Sequence, residues 1–337
     1  MTKTLLAQGL VRQRVWFAMF AAVAATGSAR PVYAQIPPRT TAALDGAPAL
    51  AAVLFPVPES LRPAMRFWHE LFTIHTSDRM VIHDRENMDV IWGVVELPKD
   101  EDGAVVETAV DKTVRAAVAG IRERLKRLAA DPTASDDEDR ILLTLAGGAQ
   151  DRLHGAWERL RTQRGVADRF REGMTRSREL VDSIRQVLLQ EGVPVDVAVL
   201  PFVESMFNPS ARSYAGAVGL WQLMPGTARG FGLKIKGRDD ERLDVLKATH
   251  AAARVLRQNY RMLGSWPLAI TAYNYGPYGL KRAVDRIGST DLATLISQNE
   301  DAAWGFAAKN FYAEFLTMLD VVGEAMAAPE NAVSYRD

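Results

Sequence analysis

Glu204 stands in Val203-Glu204-Ser205-Met206-Phe207, a carboxylate among apolar side chains. A carboxyl group in such surroundings resists ionisation, so its pKa rises. A glutamate that keeps its proton near neutral pH is the donor that a glycosidic leaving oxygen requires. A helix-end glutamate in a surface ion pair is the more ordinary reading, and Glu204 taken alone does not separate the two. Two further blocks keep it company. Ser213-Tyr214-Ala215-Gly216-Ala217-Val218-Gly219-Leu220-Trp221-Gln222-Leu223-Met224-Pro225 is rich in glycine and alanine, so a ligand can approach the backbone closely. Within it Ser213 and Gln222 offer hydrogen bonds and Met224 an adaptable apolar surface, while Trp221 reads as core. Ala272-Tyr273-Asn274 supplies an aromatic plate and an amide at the end of a short helix, equipment suited to a sugar. No carboxylate lies in residues 213–225 or 272–277 to pair with Glu204.

The elements that must position these groups read as helices. Pro194 opens one, with Val197, Leu200 and Val203 as its apolar stripe; Pro201 is expected to kink it and Asn208-Pro209 to stop it. A short helix from Pro267 carries Tyr273 and Asn274. Asp244 to Leu263 forms a scaffold helix, and Asp301 to Ala327, with Trp304, Phe311, Phe315, Leu319 and Val322 at helical spacing, closes the core. Upstream, Arg62 to Thr73 is an aromatic-rich helix. Met80–His83 and Val90–Val95, separated by Asp84-Arg85-Glu86-Asn87, suit a small β-hairpin. Val114, Val118, Ile121, Leu125 and Leu128 share one helical face. Ser135-Asp136-Asp137-Glu138 is a capping box before Ile141-Leu142-Leu143, and further helices are expected around 150–164, 166–175 and 177–190. The fold class expected is mainly α.

The 337 residues suggest about two domains at roughly 100–200 residues each. Lys plus Arg and Asp plus Glu both number 41, which argues against a nucleic-acid or acidic-membrane binder working through a basic face. There is no cysteine, so disulfides, thiolate metal sites, a cysteine nucleophile and a lipid anchor on cysteine are excluded. The acidic run Asp131 to Asp139 fails as a calcium loop, with Asp136 at the glycine place and Leu142 at the bidentate-glutamate place. His69, His75, His83, His154 and His250 have no metal-ligand spacing, and no phosphate-cradling glycine motif occurs, so no cofactor is expected. Lys3, Arg12 and Arg14, an apolar run from Val15 to Ala25 and Val32-Tyr33-Ala34 before Gln35 have the order of a secretory signal. That run of about 11 residues is shorter than the roughly 20 needed to span a bilayer. The organisation expected is a signal peptide at 1–34, a linker at 35–60, a helical N-terminal region at 61–180, a catalytic domain at 181–327 and a tail at 328–337, periplasmic or secreted after cleavage.

Glu204-Ser205, Ser213 through Pro225 and Ala272-Tyr273-Asn274, in this order, resemble family 1 of the soluble lytic transglycosylases (the SLT domain), closest to the membrane-bound lytic murein transglycosylase D group. The resemblance covers roughly residues 180–320. It implies a lysozyme-like helical fold and cleavage of the MurNAc–GlcNAc β-1,4 bond of peptidoglycan glycan strands, leaving 1,6-anhydro-MurNAc. It implies Glu204 as the catalytic acid and then base, Ser213 and Gln222 near the muramic N-acetyl group, Met224 in the groove, and Tyr273 and Asn274 orienting that N-acetyl group. Some features depart from the family. Tyr275 follows the Ala-Tyr-Asn block where a small residue is usual, with Tyr278 beyond; both rings are expected to pack in the core. The Glu-Thr-x-x-Tyr block near the family's end is replaced by Ala307-Ala308-Lys309-Asn310-Phe311-Tyr312, and no cell-wall-binding repeat is read before Asp337. A lysozyme-type muramidase on the same fold, or a catalytically weak glycan-binding scaffold whose residues 61–180 serve a protein partner, are the alternatives.

Overall fold

The computed structural model describes residues 53–147, 150–237 and 239–327. The expected signal peptide, most of the expected linker and the tail lie outside the described residues. Helix α1 (Arg62–Thr73) has Pro63 in its first turn, where a missing N–H costs nothing, and buries Phe67, Trp68, Leu71 and Phe72. Strands β1 (Arg79–Asp84) and β2 (Ile91–Glu96) pair antiparallel as the expected hairpin. Asp84 holds its turn, accepting from the N–H groups of Glu86 (2.8 Å) and Asn87 (3.0 Å). Helix α2 (Glu107–Ala130) buries Leu125 and Leu128. Helix α3 (Asp137–Leu145) is capped by Asp136, one residue later than a Ser135 cap implies: Asp136 accepts from Asp139 N–H at 2.9 Å, and Asp139 accepts from Ser135 N–H at 2.8 Å. Arg124 donates to both carboxylates, which favours aspartate over serine at the cap.

Residues 150–164 are not one helix. Two single turns, α4 (Gln150–Leu153) and α5 (Ala156–Arg159), flank Gly155 at φ 71°, and the chain then extends as β3 (Leu160–Arg164). Strand β3 pairs with β1, so the hairpin grows into a three-stranded sheet of order β2-β1-β3. The expected helices at 166–175 and 177–190 are one helix, α6 (Ala167–Gln190), since no proline interrupts the run.

After Pro194 comes a 3-10 turn, Val195–Val199, and then α7 (Leu200–Ser205) with Pro201 in its first turn. Pro201 therefore starts a helix and does not kink one, because first-turn N–H groups have no intrahelical partner to lose. The stop comes earlier than Asn208-Pro209: Met206 (φ 49°) and Phe207 (φ 56°) are left-handed. A loop leads to α8 (Pro225–Gly230), the short pair β4 (Ile235–Lys236) and β5 (Asp239–Asp240), and α9 (Val245–Leu263), capped by Asp244. Helices α10 (Trp266–Tyr275), α11 (Pro277–Ile287), α12 (Leu292–Gln298) and α13 (Phe306–Ala327) complete the described chain. Helix α13 begins later than Asp301, which instead closes a turn by accepting from Ala303 N–H at 2.9 Å.

The fold is mainly α. Its large core joins Phe67 and Trp68 of α1, Val81 of β1, Leu188 of α6, Phe202 of α7, Leu256 of α9, Ile270 of α10 and Phe315 of α13. Residues on both sides of position 180 share this core, and 180 itself lies inside α6. A second core, with Val90, Trp92, Leu125, Leu128, Leu142 and Leu153, joins β2 to helices α2 to α4. Helix α13 packs against α1, α7 and α10, so the helix carrying Glu204 rests on it. Among the described residues no helix is long and apolar enough to cross a membrane.

Candidate active site

Glu204 sits two residues before the left-handed turn that ends α7. Left-handed backbone costs a non-glycine residue roughly 1–2 kcal/mol, so Met206 and Phe207 need support. Arg176 of α6 gives it, donating to the carbonyls of Met206 (2.9 Å) and Phe207 (3.2 Å). Gly173, one turn earlier, has no side chain because a Cβ there would lie 2.6 Å from the Met206 carbonyl oxygen. Ser205 is buried and ties this helix end to the next loop: its hydroxyl donates to Leu220 O (2.8 Å), with Pro201 O (3.1 Å) as the other acceptor in reach, and accepts from Asn208 N–H (3.1 Å). The Glu-Ser pair is thus one acid and one anchor.

The loop after α7 is held from behind by Arg242, a buried residue that the sequence reading missed. Its Nη1 donates to Gly216 O (2.8 Å) and Leu223 O (3.0 Å), while Asp240 accepts from its Nε and Nη2 at 2.9 and 2.7 Å. Gly219, at φ 83°, passes so close that a Cβ would lie 2.0 Å from Arg242 O. The expected ligand groups of this loop also hold it together. Ser213 Oγ accepts from Ala217 N–H (2.9 Å), and Gln222, left-handed at φ 45°, donates Nε2 to Gly219 O (2.9 Å) and Ala211 O (3.3 Å). Both residues are half-buried, and Met224 is 36% exposed. Trp221 is fully buried, with Nε1 donating to Thr249 Oγ1 (2.9 Å). Its carbonyl accepts from the Tyr273 hydroxyl (2.8 Å), which joins α10 to the loop.

The electrostatics centre on Glu204. Neighbouring atoms enclose it, yet part of its side chain stays exposed. Burial, and then the charge of Glu314, push its pKa up to about 8. Tyr273 is raised well above its ordinary value by burial and by Glu204, so it stays a neutral hydrogen-bond donor beside the acid. Asn274 follows it on the same helix, half-buried. Tyr275 packs edge-on against Trp304 at 4.7 Å between ring centroids. Tyr278 is 67% exposed and does not join the core, because it lies on the solvent side of α11 opposite Leu280 and Ala283. Among the described residues no group of His, Asp and Glu is arranged to hold a metal ion.

A charged group that acts on Glu204, and a second that acts on the first, escaped the sequence reading. Glu314 on α13 is raised to about 8 by burial, with Arg161 acting in the opposite direction. Arg161 comes from β3, its guanidinium carbon 3.9 Å from the Phe306 ring centre. A signal for Glu314 was present: it is the one charge between Lys309 and Asp320, in an apolar helical run.

Residues 184–296 match the model of the transglycosylase SLT domain family. This segment is similar to an SLT domain. Two relatives, both named membrane-bound lytic murein transglycosylase D, from Escherichia coli strain K12 and from strain O6:H1, are each 38% identical to this chain over 111 residues. Those residues are 32% of this chain and 25% of each relative, so the match spans a quarter of the relatives' length. A solved structure of an inactive mutant of the lytic transglycosylase Slt from Pseudomonas aeruginosa overlaps 46% of this chain and 25% of its own, at 22% identity and TM-score 0.36. Glu204, Ser213, Gln222, Met224, Tyr273 and Asn274 all lie within the matched segment, whereas Arg161 precedes it and Glu314 follows it.

Proposed function

We propose that this protein is a peptidoglycan lytic transglycosylase with Glu204 as its catalytic residue. The observation that carries the reading is a partly exposed carboxyl group, pushed up to about 8 by burial, inside a segment that matches the SLT domain family. Such an acid keeps its proton at neutral pH and can give it to the glycosidic oxygen as the C1–O4 bond breaks. The muramic N-acetyl oxygen then supports the positive C1, with Tyr273 and Asn274 beside it. The Glu204 carboxylate takes the proton of the sugar's C6 hydroxyl as O6 bonds to C1. One bond breaks, one forms, the proton returns to Glu204, and no water is consumed. A substrate that supplies its own nucleophile needs no second carboxylate as nucleophile or base, so one acid serves both steps. Ser213, Gln222 and Met224, on the loop that follows Glu204, would contact the N-acetyl group and the sugar. The charged-then-apolar leader at residues 1–34 supports export to the periplasm, where this substrate lies.

The test is mass spectrometry of the muropeptides released from purified sacculi. Products one water lighter than hydrolysis products, lost in Glu204→Gln, support the reading. Hydrated reducing ends indicate a muramidase, and release undiminished by Glu204→Gln removes Glu204 from the chemistry.

A further inference from the structure

Helix α7 has six residues, so it closes few hydrogen bonds of its own, and its shape depends on what holds its end. Two bonds close the turn after Glu204: Met206 N–H donates to Phe202 O (3.1 Å) and Phe207 N–H to Pro201 O (3.0 Å). Both donors belong to left-handed residues, and neither is glycine. Such backbone persists only where its surroundings over-determine it. The carbonyls of the same two residues are taken by α6. There the Arg176 guanidinium donates Nη2 to Met206 O and Nε to Phe207 O. Its third nitrogen, Nη1, donates to Glu172 Oε2 one turn back along α6 (3.3 Å), so each nitrogen of the fork has a partner within the protein. Gly173 shares this face of α6 and lets the Met206 carbonyl lie directly against the helix. A rigid planar fork that grips two carbonyls at once is what arginine offers and lysine does not.

We propose that Arg176 is a positioning residue for the reaction: its fork on the Met206 and Phe207 carbonyls sets the end of α7 and so fixes where the Glu204 carboxyl meets the glycosidic oxygen. The proposal rests on the reading of Glu204 as the acid. Ser205 ties the helix end to the following loop, and Arg176 ties the next two residues to α6. Glu204 directly precedes these three anchored residues, so their placement passes to it through the backbone. Arg176 itself precedes residues 184–296, the segment that matches the SLT domain family. The upstream chain therefore has a share in placing the acid. A reacting group misplaced by about 1 Å can cost on the order of 100-fold in rate, and the loss falls on the chemical step.

The experiment is steady-state kinetics on solubilised glycan strands, with amide hydrogen exchange on the same proteins. Arg176→Ala is expected to lower kcat by about 10–100-fold and to leave KM within about twofold. Arg176→Lys, which keeps the charge but not the fork, recovers only part of kcat. Glycine accepts left-handed backbone without strain, so in a Met206→Gly background Arg176→Ala is expected to cost several-fold less. Exchange reads the grip without activity. In Arg176→Ala the amides of Met206 and Phe207 are expected to exchange at least about tenfold faster, beyond any change at the buried Leu256 of α9, which reports global opening. A folded Arg176→Ala with wild-type kcat overturns the proposal. So does a loss of kcat that is equal with and without Met206→Gly, or exchange at Met206 and Phe207 that rises only in step with Leu256. If Arg176→Ala does not fold, Arg176→Lys is held to the same pattern of kcat, rescue and exchange. Full activity in Glu204→Gln would instead defeat the reading of the acid, and the exchange would still decide whether Arg176 holds the turn.

Discussion

An acid that must release a proton and take it back within one turnover needs both of its forms within reach of the working pH. In the proposed reaction Glu204 meets this by burial beside a second carboxyl, and the arrangement has a cost in stability. Its folded pKa, about 8, lies above the ordinary value of 4.5, so between these values the native state binds more protons than the unfolded chain. The stability contributed by the protonated form is present below about pH 4.5 and is lost as pH rises through about 8. Glu204→Gln, which removes the ionisation, is expected to raise Tm by roughly 10 °C near pH 8 and to leave it unchanged near pH 4. Thermal melts at the two pH values check this, and an equal change at both contradicts it. Activity of the wild type should fall as pH rises through about 8, where Glu204 loses its proton. Glu204 was legible in the sequence because its apolar neighbours adjoin it in the chain. Glu314 was not, because it meets Glu204 only through the packing of α13 on α7.

The elements that hold the acid are short and strained, and they depend on buried polar anchors more than on helix propensity. Gly219→Ala would set a Cβ 2.0 Å from the Arg242 carbonyl oxygen at a left-handed position. A loss above about 2 kcal/mol is expected, with activity falling alongside it. Ser205→Ala removes the bond to Leu220 O and leaves that carbonyl unpaired at a buried site, at about 1–3 kcal/mol. Urea unfolding of both variants measures these losses, and wild-type stability in either denies the anchor its role. Helical spacing and prolines in the sequence marked most of the helices. They failed at β3, where Leu160–Arg164 has no pattern of its own and takes its form from β1, and at Pro201, whose effect depends on where the helix starts.

Across the whole molecule, the SLT segment does not own its core. Helix α1 lays Phe67, Trp68, Leu71 and Phe72 into the same core as α13. Losing large buried side chains costs about 2–5 kcal/mol each, so losing four is comparable to the roughly 5–15 kcal/mol of net stability a domain has. A fragment of residues 184–327 is therefore expected to lack a cooperative unfolding transition that residues 53–327 show; a cooperative fragment would mean the N-terminal elements only decorate the fold. In the proposed chemistry Glu204 drives cleavage by internal attack of the sugar's own hydroxyl. Mass spectrometry of sacculus digests tests it most directly: anhydro-ended muropeptides from the wild type and none from Glu204→Gln are predicted, whereas hydrated reducing ends, or anhydro products persisting in Glu204→Gln, would contradict it.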